Sequence, residues 1–183
     1  MDKNKIKVEV IRLPEENDWV RCKKLALNTI GKKFLKTQVA EQWKRNILKS
    51  EHSPIRTLMF TIQMEIPYYV SNHFVRHKIG VEHYVSSQRN DRQDKYDREI
   101  ATQDMMVTHI MDINVSSLMS VARRRLCAQA DPVTRYTMYK IVEAICEKDN
   151  KYREFLVPMC LYQHACPEFK SCGYYENLIK RHE

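Results

Sequence analysis

The sequence predicts an α+β domain, and three observations carry that prediction. Residues 5–13 alternate polar and apolar side chains, the pattern of a strand with one face buried. Residues 56–66 are apolar and rich in β-formers, and after Pro67 the positions Tyr69, Val70, Phe74 and Val75 recur at helical spacing. Asp131 followed by Pro132 supplies an N-cap and a first-turn proline, which together open a further helix.

Taken in order, the elements are a strand over 5–13, helices over about 15–30 and 36–48, and a strand over 56–66. A helix follows from Pro67 to the basic residues at 76–78, where cations are favourable beside unpaired carbonyls. Residues 105–113 read as a strand that leads into a helix beginning near Asn114. The chain has 183 residues, 43% of them hydrophobic, which is enough for a substantial core and points to one domain over 1–183. Only three glycines occur, and neither a linker nor an internal repeat is visible.

The formal charge of +8 and a pI near 9.2 favour anionic partners, nucleotides or nucleic acids, because a positive field concentrates phosphates. Lys3, Lys5 and Lys7 add to that field within the first strand. No apolar run of about 18 residues is present, so neither a membrane span nor a signal peptide is expected and the cytoplasm is the default location.

Arg76-His77-Lys78, followed after seven residues by Ser86, is the most informative stretch. It joins a dense cationic group to a hydroxyl at fixed reach, and an anion is its natural guest. Arg76 and Lys78 would equally suit a solvated helix end, and Ser86 an ordinary polar turn.

This triplet, gap and serine resemble the signature of the flavin-dependent thymidylate synthases, Arg-His-Arg, seven residues, then Ser. Three further segments agree in order. His52-Ser53-Pro54-Ile55-Arg56 resembles the family's upstream Ser/Thr-Pro turn; Asn114-Val-Ser-Ser-Leu-Met119 resembles the start of its long C-terminal helix; Arg125 and Arg135, ten positions apart, resemble its late arginine pair. The resemblance covers about residues 50–140 and implies the family's α+β fold.

It also implies FAD as cofactor, with deoxyuridylate methylated to thymidylate from methylenetetrahydrofolate and NADPH as reductant. Ser53, Arg76, His77, Lys78, Glu82, Arg125 and Gln129 would face the flavin. Ser86 and Arg135 would act at the nucleotide, helped by Gln88 and Arg89, and a homotetramer is implied because family sites form between subunits. Lys78 keeps the family charge but not the planar fork of arginine. The family's Asn and Glu before the serine are His83 and Tyr84 here, with Glu82 the nearest carboxylate; the arginine after it is Gln88, with Arg89 one place on. No match to the additional substrate arginine before Asn114 is found, so a related pyrimidine nucleotide is an alternative substrate.

Cys160, His164, Cys166 and Cys172 would suffice for zinc in number, but their spacing lacks the short Cys-x2-4-Cys hook, and free buried thiols are expected in place of a metal. With Cys22, Cys127 and Cys146 they make a set in which no thiol is needed as a nucleophile. A nucleic-acid-binding protein on the same fold is the alternative of a different class, favoured by ten tyrosines among the basic clusters; nucleic acid is not the expected partner.

Overall fold

A computed structural model describes residues 3–92 and 97–180. Four strands form one antiparallel sheet: β1 (Lys7–Arg12), β2 (Met59–Pro67), β3 (Val81–Val85) and β4 (Met106–Asn114), in the spatial order β1-β2-β4-β3. The helices are α1 (Glu16–Asn28), α2 (Glu41–Lys49), α3 (Tyr68–Val75), α4 (Val115–Arg125), α5 (Pro132–Lys148), α6 (Met159–Gln163) and α7 (Tyr174–Lys180). The α+β expectation is met.

The period-2 alternation of β2 and β4 explains the sheet's two faces. Phe60 pairs with Ile113, Ile62 with Met111, Met64 with His109 and Ile66 with Val107, and all eight are buried. The opposite parity carries Thr61, Gln63 and Glu65, half-buried, with Thr61 Oγ1 donating to the Asp112 carboxylate at 2.6 Å. α3 packs against β2 and β4, and α5 lies along β1. Phe60 meets Tyr152 edge to face, ring centroids 5.1 Å apart, closing one end of the core.

Three boundaries differ from the sequence reading. Lys3 and Lys5 lie in a short 3-10 turn and not in β1, which starts at Lys7. Arg56 belongs to the 3-10 turn Ser53–Thr57, so β2 begins only at Met59. The second helix starts at Glu41, not 36, because Val39 is drawn into the core with its amide donating to Glu16 Oε1 at 2.5 Å, which holds that segment non-helical. Lys44, 4% exposed, then fastens α2 to α1 through Glu16 at 2.6 Å and is bound within α2 by Glu41 at 2.8 Å.

α4 starts where expected. Asn114 ends β4 and caps the helix, its side-chain oxygen accepting from the Ser117 amide at 2.9 Å. Asn114→Ala is expected to lower stability by about 1 kcal/mol, read as a shift in the urea midpoint. Asp131 caps α5 in the same way, with Pro132 in its first turn, so the break between Arg125 and Arg135 is real. No described helix is long and apolar enough to cross a membrane.

Candidate functional site: a cationic cleft at the start of α4

α3 ends at Val75, with Arg76 as its C-cap, and the chain turns through His77 to Gly80 before β3. Gly80 has φ +67°, the left-handed region that glycine tolerates best. The turn is stitched to α4: the Asn114 amide donates to the Gly80 carbonyl at 3.1 Å, and Ser117 Oγ donates to the Ile79 carbonyl at 2.6 Å. Between them lies a cleft of about 690 Å³ whose polar lining includes Arg56, Arg76, Lys78, Ser116 and Ser120.

The charge of this cleft is one-sided. Arg56, Arg76 and Lys78 are exposed, and none forms a carboxylate ion pair among the described residues. The N-terminal end of the α4 dipole adds positive potential. The amides of Val115 and Ser117 are already bound, to the Leu58 carbonyl and to the Asn114 side chain, and the Ser116 and Ser120 hydroxyls have no partner among the described residues. Such a surface attracts and can chelate phosphate.

Arg125 stands one layer behind. Its Nη2 donates to the His73 carbonyl at 2.6 Å and its Nε to His77 Nε2 at 3.1 Å. His77 is therefore protonated on Nδ1 when neutral. Burial, and then the positive Arg125 with His83 and Arg124, push the His77 imidazole down to about 4, so it is neutral at pH 7. Arg125, read from the sequence as a flavin ligand, holds the end of α3 and one ring of the triplet.

The other residues marked in the sequence are dispersed. Ser86 lies just past β3, about 16 Å along the strand from Val81 at the cleft. Its amide donates to the Thr108 carbonyl at 2.8 Å and its Oγ accepts from the Thr108 amide at 3.2 Å, so this serine extends the sheet ladder and keeps its O–H as a donor. Glu82 and Tyr84 share the exposed sheet face, with Glu82 opposite Asp112. Gln88 is half-buried in the loop beyond Ser86, and Arg89 is turned onto Asp91 by two bonds of 2.9 and 2.7 Å. Ser53 is exposed at the start of its 3-10 turn. Gln129 is exposed and donates to the Lys170 carbonyl.

Arg135 lines a different, mainly apolar cleft of about 620 Å³ between α5 and the C-terminal segment, its Nη1 donating to the Ala128 carbonyl at 3.2 Å. Cys127, Cys160, Cys166 and Cys172 line the same cleft, and all are free thiols. Burial raises the Cys160 thiol. His164 is exposed, and no three His, Cys, Asp or Glu side chains among the described residues stand close enough to share a metal ion.

No protein-family profile matches the chain, and no curated protein matches it by sequence. Among solved structures it is similar to a UMP/dUMP methylase, PolB from Streptomyces cacaoi, bound to 5-bromo-dUMP. Identity is 13%, the TM-score is 0.57, and the match covers 83% of this chain and 97% of the other. That likeness shows a shared fold.

Several cleft residues carry no family motif of their own. Arg56 and Ser116 lie within segments that resemble the family, and Ser120 lies one helical turn beyond Ser116, a spacing that places both on one face of α4. Nothing in the linear sequence marks Ser71, His73 or His109, and His83 stands where the family has another residue; their contacts with one another and with Thr134 are tertiary.

Proposed function

We propose that this protein binds FAD through its diphosphate in the cationic cleft and methylates a pyrimidine nucleotide, deoxyuridylate to thymidylate. Methylenetetrahydrofolate would be the one-carbon donor and NADPH the reductant. The carrying observation is the convergence of Arg56, Arg76 and Lys78 on the dipole end of α4, with no carboxylate ion pair to any of them among the described residues. The fold shared with a protein described as a UMP/dUMP methylase supports the nucleotide class.

The residues fit a diphosphate. Arg56, Arg76 and Lys78 would hold its oxygens by charge-assisted bonds, and the Ser116 and Ser120 hydroxyls would donate to the same group. Neutral His77 keeps Nδ1–H without a protein partner among the described residues, a donor suited to a ring carbonyl or nitrogen. Reduced flavin, when bound, supplies the electrons for methyl formation. Ser86 would donate its O–H to the nucleotide base, and its distance from the triplet within one protomer suits a homotetramer that brings Ser86 of one copy to the cleft of another. Glu82 stands on the exposed sheet face and Arg89 is bound to Asp91, so uridylate belongs beside deoxyuridylate in any substrate panel.

Arg76→Ala is expected to weaken FAD binding by about ten- to a hundredfold, the worth of a charge-assisted phosphate contact. Ser86→Ala should stay yellow and slow methylation of the true nucleotide. Flavin absorbance after reconstitution and gel filtration, with thymidylate formation followed in parallel, reads both. Full flavin loading of Arg76→Ala, or a wild type that takes up no FAD, would sink the proposal.

A further inference from the structure

A directed chain of hydrogen bonds runs from the core to the triplet. Ser71 Oγ and His109 Nδ1 are 3.0 Å apart, His109 Nε2 and His83 Nδ1 2.9 Å, and His83 Nε2 and the His77 carbonyl 2.8 Å. Ser71 and His109 are buried, at 1% and 0% exposure. The partners dictate the protons. A carbonyl only accepts, so His83 carries its proton on Nε2 and, when neutral, accepts at Nδ1. His109 must then donate from Nε2 and accept at Nδ1 from the Ser71 hydroxyl. Every ring nitrogen in the chain is satisfied in one direction only.

We propose that His83 is a positioning residue for the anion cleft: its Nε2–H pins the His77 carbonyl, and so fixes the turn that presents Arg76 and Lys78. The function of the cleft rests on the reading above; the positioning of the turn does not. His83 lies on the inner parity of β3 with Val81 and Val85, opposite Met111, and is therefore aimed into the protein, away from Glu82 and Tyr84. His109 backs it from β4, its ring 5.1 Å from that of His83 and 6.4 Å from Phe74, so the strand residue cannot swing inward. On the other side Arg125 holds the His77 ring and the His73 carbonyl. The triplet turn is thereby held at its backbone from β3 and at its side chain from α4.

Two substitutions separate positioning from mere packing. His83→Gln places an amide donor where Nε2 stood and keeps the bond to the His77 carbonyl. His83→Asn places its polar atoms where Nδ1 stood, keeps the contact to His109 and loses that bond. Inorganic pyrophosphate is the probe, titrated against each variant. His83→Asn is expected to bind roughly three- to tenfold more weakly than wild type, the loss of one part-buried hydrogen bond, and His83→Gln within about twofold of it.

A second readout needs no ligand. The His77 amide, bonded to the Phe74 carbonyl at 2.9 Å, and the Asn114 amide, bonded to the Gly80 carbonyl at 3.1 Å, close the turn. Their hydrogen exchange should quicken in His83→Asn and not in His83→Gln. Equal losses in both variants, or none in either, overturn the proposal. A split in exchange with no pyrophosphate binding by wild type supports the positioning and overturns the anion reading alone. Should His83→Asn fail to fold, nitrogen NMR of wild-type histidines decides: His83 protonated on Nδ1 alone, or His109 lacking a proton on Nε2, overturns it.

Discussion

Gly80→Ala is expected to destabilise the protein by on the order of 4 kcal/mol. A Cβ built on Gly80 would lie 2.0 Å from Asn114 Nδ2 and 2.5 Å from Ser117 Oγ, and the backbone would still have to hold φ +67°. The left-handed conformation alone costs a non-glycine residue about 1–2 kcal/mol. Displacing Asn114 strips the cap from α4, about 1 kcal/mol more, and crowding in a packed site adds roughly 1–3. Because the Asn114 amide and Ser117 hydroxyl also bind the turn's carbonyls, the cleft should lose its shape together with its stability. Urea denaturation reads the first effect and anion titration the second. A loss under about 1 kcal/mol would mean that the turn is not stitched to α4 as described.

Acidification is expected to weaken the fold from about pH 6.5 downward, through its buried and half-buried histidines. His109 is fully buried, and burial, helped by neighbouring His83, pushes its imidazole down to about 4. The unfolded chain, near 6.5, then binds more protons than the folded one between those values, so stability rises with pH across this window. The contribution is complete above about pH 6.5 and is lost as pH falls toward 4, on the order of 3 kcal/mol for His109. His77 acts with the same sign and less weight, being partly exposed. Glu41, held below the usual carboxylate range through its bonds to Lys44 against an opposing cost of burial, loses its contribution only further down. Equilibrium unfolding at a series of pH values should show a slope from 6.5 to 4 that His109→Gln flattens. A flat profile in wild type would contradict the buried relay.

Sequence periodicity located these elements because each buries one face. The alternation from Met59 to Pro67 identifies the inner parity of β2 without any partner, and Asp131-Pro132 sets the start of α5 by local chemistry alone. The triplet's place at the end of α3 was equally legible. What periodicity could not supply was which parity of β4 meets which parity of β3. Only that pairing buries His109 and joins it to His83, turning an apparent loss of family residues into a relay. Arg125 illustrates the same limit: its sequence position says cation near an anion site, whereas its bonds to His73 and His77 are tertiary. Arg135 diverges further, since the loop between α4 and α5 carries it to another cleft. The helix predicted from residue 36 starts only at Glu41 because a buried Val39, its amide held by Glu16, outweighs local propensity.

The most direct test of the account is a crystal structure of the protein with FAD bound. Diphosphate oxygens should lie within hydrogen-bond distance of Arg76 and Lys78, with Arg56 and the Ser116 and Ser120 hydroxyls completing the shell. A diphosphate seated against Arg135 in the apolar cleft, with the triplet turn making no contact to it, would contradict the account.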